Sequence, residues 1–289
     1  MQPTRCSNDM CASTQLLQVV TRIYWCRWRT KPLDQPGHIG DGRGMFPIRD
    51  HNPSERTPYV TYALIGLNVA IYLIGLATLQ TDQDIARFYF DYALIPARLS
   101  EGQNVTALVT SMFLHAGLMH LAGNMLFLWI FGDNLEDKMG HIPFLIFYLF
   151  CGIGATLTHY APDPSSFVPL VGASGAIAGV MGGYLLLFPK ARVDIFFFII
   201  IFFRIFPIPA WIMLGLWFGL QVVNGIGSDP ATGGVAYWAH AGGFVIGLIA
   251  TLPVWLKSGG TSFWKQTNGH PDHPEASYGR SSIPIVRKR

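Results

Sequence analysis

Residues 168–189 read VPLVGASGAIAGVMGGYLLLFP, and the fold is decided by how this stretch is read. It carries no charge, and a run of about 20 apolar residues is long enough to cross a bilayer as a helix. One hydroxyl, Ser174, lies near its start inside Gly172-Ala173-Ser174-Gly175. Helical spacing puts Gly175, Gly179 and Gly183 on one ridge, with Ala178 and Gly182 beside it. Such a ridge lets another helix approach nearly to backbone contact, so a side chain from that helix can reach the serine. Taken alone, the stretch fits better a packing helix whose serine bonds to its own backbone. Residues elsewhere decide between the two.

Composition sets the class. Of the 289 residues, 51% are hydrophobic and only 13% charged. A soluble domain carries about 25% charged residues, so the chain reads as a polytopic membrane protein. The net charge of +3 is small, and the placement of positive residues matters more than their sum. Cys6, Cys11 and Cys26 lie in a polar N-terminal region and Cys151 in an apolar run, with no zinc-like or disulfide-like spacing. The apolar run at 16–20 is too short for a cleavable signal, and Arg22, Arg27 and Arg29 follow it.

Reading outward, residues 1–57 form a polar, basic, turn-rich tail, expected to be cytosolic and without a core. Met45 opens a sensible start for a membrane protein, so 1–44 reads as a dispensable extension. Spans are predicted at 59–79, 117–131, 142–160, 168–189, 209–226 and 235–256, making an all-α bundle within 58–257. The first loop, 80–116, is mixed, and its end at 105–115 is expected to dip into or lie on the bilayer. Residues 132–138 read as a solvated turn and 227–234 as another. Residues 194–206, interrupted by Arg204 and followed by Pro207 and Pro209, read as an interfacial or re-entrant connection. Residues 258–289 read as a disordered tail. Arg49, Arg56, Lys138, Lys190, Arg192, Arg204 and Lys257 fall on one side of this arrangement, which places both termini in the cytosol. A bacterial inner membrane or a plasma membrane is the expected location.

Span counting then brings His115 and His120, Ser174, and His240 to the same outer depth on the second, fourth and sixth spans. Polar groups inside spans are expensive and mark function. Ala239, Gly243 and Gly247 form a second small ridge beside His240, so the two ridges can pack and bring imidazole to hydroxyl. A serine hydroxyl needs a base, and neutral imidazole is the usual one. His120 and Asn124, at i and i+4, share a face and can donate to a developing oxyanion together with the Ser174 N–H. Other readings remain: a packed His240, His120 and Asn124 as interhelical glue, or a metal held by His115, His120 and His240. His115 suits loop anchoring or substrate contact.

HAGLMHLAGN (115–124), GASGAIAG (172–179) and AHAGGFVIG (239–247) together resemble the three signature motifs of the rhomboid intramembrane serine proteases, in that family's order. The similarity covers about 45–256. It implies a six-helix core, a Ser174–His240 dyad without an acidic third member, and an oxyanion site using His120 and Asn124. It implies cleavage of a partner's transmembrane helix near its outer end, by a protein in the lipid bilayer that needs no cofactor and binds no nucleic acid. The chain lacks the Trp-Arg pair that many members carry in the first loop. It also has Ala178 where many carry an aromatic against the histidine, leaving Tyr237 and Trp238 as candidates to orient His240. The alternative function is a non-catalytic adaptor of the same fold that binds transmembrane helices; a small-solute transporter is a further rival.

Overall fold

A computed structural model describes residues 43–199, 202–228 and 235–272. The readings made for 1–42, for 229–234 and for the tail beyond 272 lie outside the described residues. The chain opens with strand β1 (Arg43–Asp50) and helix α1 (Tyr59–Thr78). The first loop holds α2 (Asp82–Tyr92), α3 (Pro96–Ser100) and α4 (Ala107–Thr110), the last running into a 3-10 turn at Ser111–Phe113. Then come α5 (Leu118–Met139), α6 (His141–Tyr160), α7 (Ser174–Leu187), strands β2 (Arg192–Ile199) and β3 (Phe202–Pro209), α8 (Ala210–Gly227), α9 (Tyr237–Lys257) and α10 (Thr261–Thr267). Helices α5, α6, α8 and α9 pack around α7, and α1 packs on α5.

The molecule is a polytopic, mostly helical membrane protein. Among the described residues, α1, α6, α8 and α9 are long and apolar enough to cross a membrane. The segment Ala107–Phe113 and α5, bent by 97°, pass the same test together. Helix α7 is apolar and buried but has 14 residues, about 21 Å at 1.5 Å per residue against a hydrocarbon core of about 30 Å. The span expected over 168–189 is therefore corrected to a shorter helix beginning at the serine. The reason is local. Leu170 donates to the Leu94 carbonyl at 2.7 Å and accepts from Leu94 N–H at 3.1 Å, while Gly172 donates to Ser111 O at 2.9 Å. Backbone groups held by the first loop cannot also make helix, and Gly172 turns the chain at φ +125°.

Helices α7 and α9 meet through backbone. A Cβ built on Gly243 would stand 2.1 Å from the Gly175 carbonyl oxygen, and one on Gly247 2.0 Å from that of Gly179. Only glycine fits either position.

Four further expectations are corrected. Residues 132–138 continue α5 rather than turning. Glu136 is 1% exposed there, accepting from Val60 N–H at 2.9 Å, Thr61 N–H at 2.8 Å, Thr61 Oγ1 at 2.7 Å and His141 Nδ1 at 2.6 Å. It satisfies first-turn donors of α1 that have no partner within that helix. Residues 194–199 and 202–206 lie instead in antiparallel strands β2 and β3, in a sheet of order β1-β2-β3. Ile- and Phe-rich sequence favours strand, and Pro207 and Pro209 are tolerated because β3 is an edge. β1, from the region read as a tail without a core, supplies the other edge. Past Lys257, α10 docks through buried Phe263 and a bond from Trp264 Nε1 to Leu186 O at 3.0 Å.

Side chains tie the sheet together and to the bundle. Tyr184 of α7 donates to Asp50 Oδ2 at 2.8 Å. Burial, then the charge of Asp133, hold the Asp50 carboxyl well above the ordinary range. Asp194 is buried too, which by itself would raise it. Hydrogen bonds from His51 at 2.9 Å and Arg49 at 2.7 Å, with their charge, hold it below the ordinary range.

Two outcomes follow. Gly247→Val should destabilise the bundle by about 3 kcal/mol or more, because backbone rather than a flexible side chain must move. Gly219→Ala on α8, with open space around it, should be neutral or stabilising by up to about 1 kcal/mol. Thermal unfolding in detergent compares the two. Asp194→Asn should lower Tm at neutral pH. Because the folded-state pKa is depressed, the wild-type advantage is present above the unfolded carboxyl's pKa and disappears as pH falls through the folded value. A Tm difference independent of pH would assign Asp194 no ion-pair role.

Candidate active site

Because α7 begins at Ser174, the hydroxyl stands at a helix N-terminus, where first-turn N–H groups lack intrahelical partners and the dipole favours negative charge. The serine faces a cavity of about 940 Å³ that His120, Asn124, Trp217 and His240 also line. The backbone contact of α7 with α9 sets the next distance. His240 Nε2 lies 2.8 Å from Ser174 Oγ.

The other imidazole nitrogen is also engaged. His240 Nδ1 lies 2.8 Å from Gln221 Oε1 on α8. Trp217, one turn earlier on the same helix, lies over the ring with centroids 5.8 Å apart and planes tilted by 33°. These two residues, rather than Tyr237 and Trp238, hold His240. Tyr237 and Trp238 pack instead at Gly225, where a Cβ would meet Trp238 at 3.3 Å and Tyr237 at 3.4 Å. Sequence reasoning missed both Gln221 and Trp217. The available signal was a glutamine inside an apolar span, with an aromatic at i−4 on the same face.

His120 and Asn124 on α5 reach the cavity over the chain entering α7. A Cβ on Gly172 would lie 2.8 Å from His120 Nε2 and 3.6 Å from Asn124 Nδ2. Glycine at 172 thus makes room for both donors two residues before the serine. His115 is set behind them. It is 5% exposed, accepts at Nε2 from Asn124 Nδ2 at 2.9 Å, and has its ring 5.1 Å from that of His120. It orients the asparagine amide rather than lining the cavity, and Tyr89 fixes its backbone through a 3.2 Å bond to the His115 carbonyl.

Among the described residues no three His, Cys, Asp or Glu side chains converge as ligands. Both ring nitrogens of His240 are already hydrogen-bonded. The first loop, lacking the Trp-Arg pair, is held by Arg98 instead. Its guanidinium stacks 3.8 Å over the Phe90 ring and donates to the Phe90 carbonyl.

Residues 102–257, over half of the chain and including Ser174, His240, His120 and Asn124, match the Rhomboid domain. The chain belongs to the rhomboid family. Rhomboid protein 1, mitochondrial, of Saccharomyces cerevisiae is 31% identical over 196 residues, covering 66% of this chain and 51% of that protein. Rhomboid protease GluP of Bacillus subtilis is 33% identical over 131 residues, 44% of this chain and 24% of that one. Rhomboid-like protein 11, chloroplastic, of Arabidopsis thaliana is 43% identical over 72 residues, 25% of each chain. The chain thus spans about half or less of the length of these rhomboid relatives, which come from mitochondria, chloroplasts and bacteria.

A cavity that admits water should admit a small charged reagent. Ser174→Cys should react with a methanethiosulfonate in detergent solution, whereas native Cys151, buried on α6, should not. Peptide mass mapping reads the two sites separately. Protection of position 174 would mean the cavity is closed to water.

Proposed function

We propose that this rhomboid-family protein is an intramembrane serine endopeptidase, cutting transmembrane helices of partner membrane proteins near their outer end. The single observation that supports it most is the 2.8 Å contact of His240 Nε2 with Ser174 Oγ on the floor of an open cavity. An adaptor or a transporter has no use for a hydroxyl aligned on an imidazole.

In this reading His240 accepts the Ser174 proton at Nε2 as Oγ bonds to the scissile carbonyl carbon. The negative charge moves onto the carbonyl oxygen. His120, Asn124 Nδ2 and the Ser174 N–H donate to it, helped by the N-terminus of α7. The intermediate collapses as the imidazolium gives its proton to the leaving amine. Water then repeats the sequence on the acyl-serine and frees the carboxylate. Groups held on three helices need little reorganisation as charge develops.

A stable helix offers a poor scissile bond, since its own hydrogen bonds cover the carbonyl. Cleavage should favour partner helices that unwind near the outer face, with Gly or Pro just below small residues. The basic residues Lys138, Lys190, Arg192, Arg204 and Lys257, at the end opposite the cavity, favour a cytosolic sheet and cytosolic termini.

Ser174→Ala and His240→Ala should each abolish cleavage of a single-span substrate while leaving insertion and Tm nearly unchanged. The double variant should be no worse, because the two act as a unit. Asn124→Ala should lower kcat by roughly 10²–10³. A fluorophosphonate should label Ser174 in the wild type and fail to label His240→Ala. Cleavage surviving Ser174→Ala would refute the serine mechanism. Equal inertness of all variants with equal helix binding would favour the adaptor.

A further inference from the structure

We propose that Gln221 is the positioning residue of the base: its side-chain carbonyl selects the His240 tautomer that carries the proton on Nδ1. The consequence for catalysis rests on the protease reading above; the geometry does not.

A neutral imidazole has one N–H and one lone pair, and only the lone pair can take a proton from serine. The Ser174 hydroxyl cannot make that choice itself, since it donates or accepts equally well at 2.8 Å. With Nε2 protonated, the same distance would join an N–H to Oγ and the base would be lost. Selection must come from the other side of the ring. There Gln221 Oε1, a carbonyl that only accepts, stands 2.8 Å from Nδ1. The bond places the proton on Nδ1 and turns the Nε2 lone pair toward Ser174. Trp217 limits rotation of the ring about the same axis, from one turn away on α8.

An amide suits this position better than a carboxylate. Gln221 is 9% exposed on an apolar helix, where a charge would be costly. The amide supplies direction without charge. Around His240 the titratable groups are His120 of α5 and His159 of α6, with Ser174 in contact, Asp163 in the loop before α7 lining the cavity, and Tyr237 on α9 itself.

The test joins tautomer to kinetics in the full-length protein. Nitrogen-15 imidazole NMR should show His240 protonated at Nδ1 in the wild type, and that signal should be lost in Gln221→Met. The same variant should lower kcat about tenfold, the worth of one net hydrogen bond, with KM and Tm unchanged. Gln221→Glu keeps an acceptor and adds a charge that favours imidazolium, so the acid limb of kcat/KM should move up by one pH unit or more. Activity is then lost at a higher pH on acidification, while the high-pH plateau remains. An unaltered tautomer and kcat in Gln221→Met would reduce the bond to helix packing. If Gln221→Met does not insert, an unshifted acid limb in Gln221→Glu overturns the proposal alone. A wild type that shows the Nδ1 proton but cuts nothing would defeat the protease reading and support this one. A wild type that cuts with the proton on Nε2 would do the reverse.

Discussion

Everything at the cavity depends on backbone-to-backbone contact between α7 and α9. Lipid tails are as apolar as leucine, so helices in a bilayer gain little from hiding apolar surface against each other and associate through close packing. Gly243 and Gly247 rest on the carbonyls of Gly175 and Gly179, with no room for a Cβ at 2.1 and 2.0 Å. A methyl at either position would separate the helices by more than an O–H···N bond tolerates. The contact between Ser174 and His240 is thus a product of glycine placement two helices wide. The same holds on the other flank of α7, where Gly175 and Gly179 would meet Ala155 at 2.6 Å and Cys151 at 2.5 Å.

Depth is the second constraint, and the first loop imposes it. The Leu94–Leu170 bridge and the Gly172 bond to Ser111 keep residues before 174 out of the helix. The serine therefore begins α7 rather than sitting within a longer span. One choice gives three results: a hydroxyl set below the end of the bundle, an unspent helix N-terminus beside it, and a gap above α7 that water can fill. A full-length span would have buried the same serine against its own preceding turn.

The helices and the meeting of Ser174, His240, His120 and Asn124 in one cavity were legible because periodicity reports which residues share a face. What was not legible has physical reasons. The strands over 192–199 and 202–209 are apolar without alternation, and such a run reads alike as strand or buried helix. The partner of β2, β1, is more than a hundred residues away in sequence, and no local pattern reports so distant a pairing. Glu136 and Asp137 looked like a solvated turn because charge usually means water, yet Glu136 finds its donors on α1, far away in the chain. Gln221 lies on α8, and no local pattern on α9 points to it. Its role depends on the angle between α8 and α9, which no spacing reveals.

Charge is distributed between the two ends of the bundle for one reason. A carboxylate can be buried where N–H groups and cations converge on it, as Glu136 is by the first turn of α1 and Asp194 by Arg49 and His51. The sheet end supplies such donors, since strand edges, helix starts and basic residues gather there. The cavity end must leave its donors unspent. In the proposed reaction, a resident anion at the start of α7 would occupy the N–H groups that a transient oxyanion needs, and would compete with it throughout. The hydrogen bonds described at Ser174, His240 and Asn124 accordingly run between neutral groups: hydroxyl, imidazole and amide. A neutral third partner at Gln221 belongs to the same arrangement. In the proposed mechanism it directs a proton without placing a negative charge beside the site where one must form.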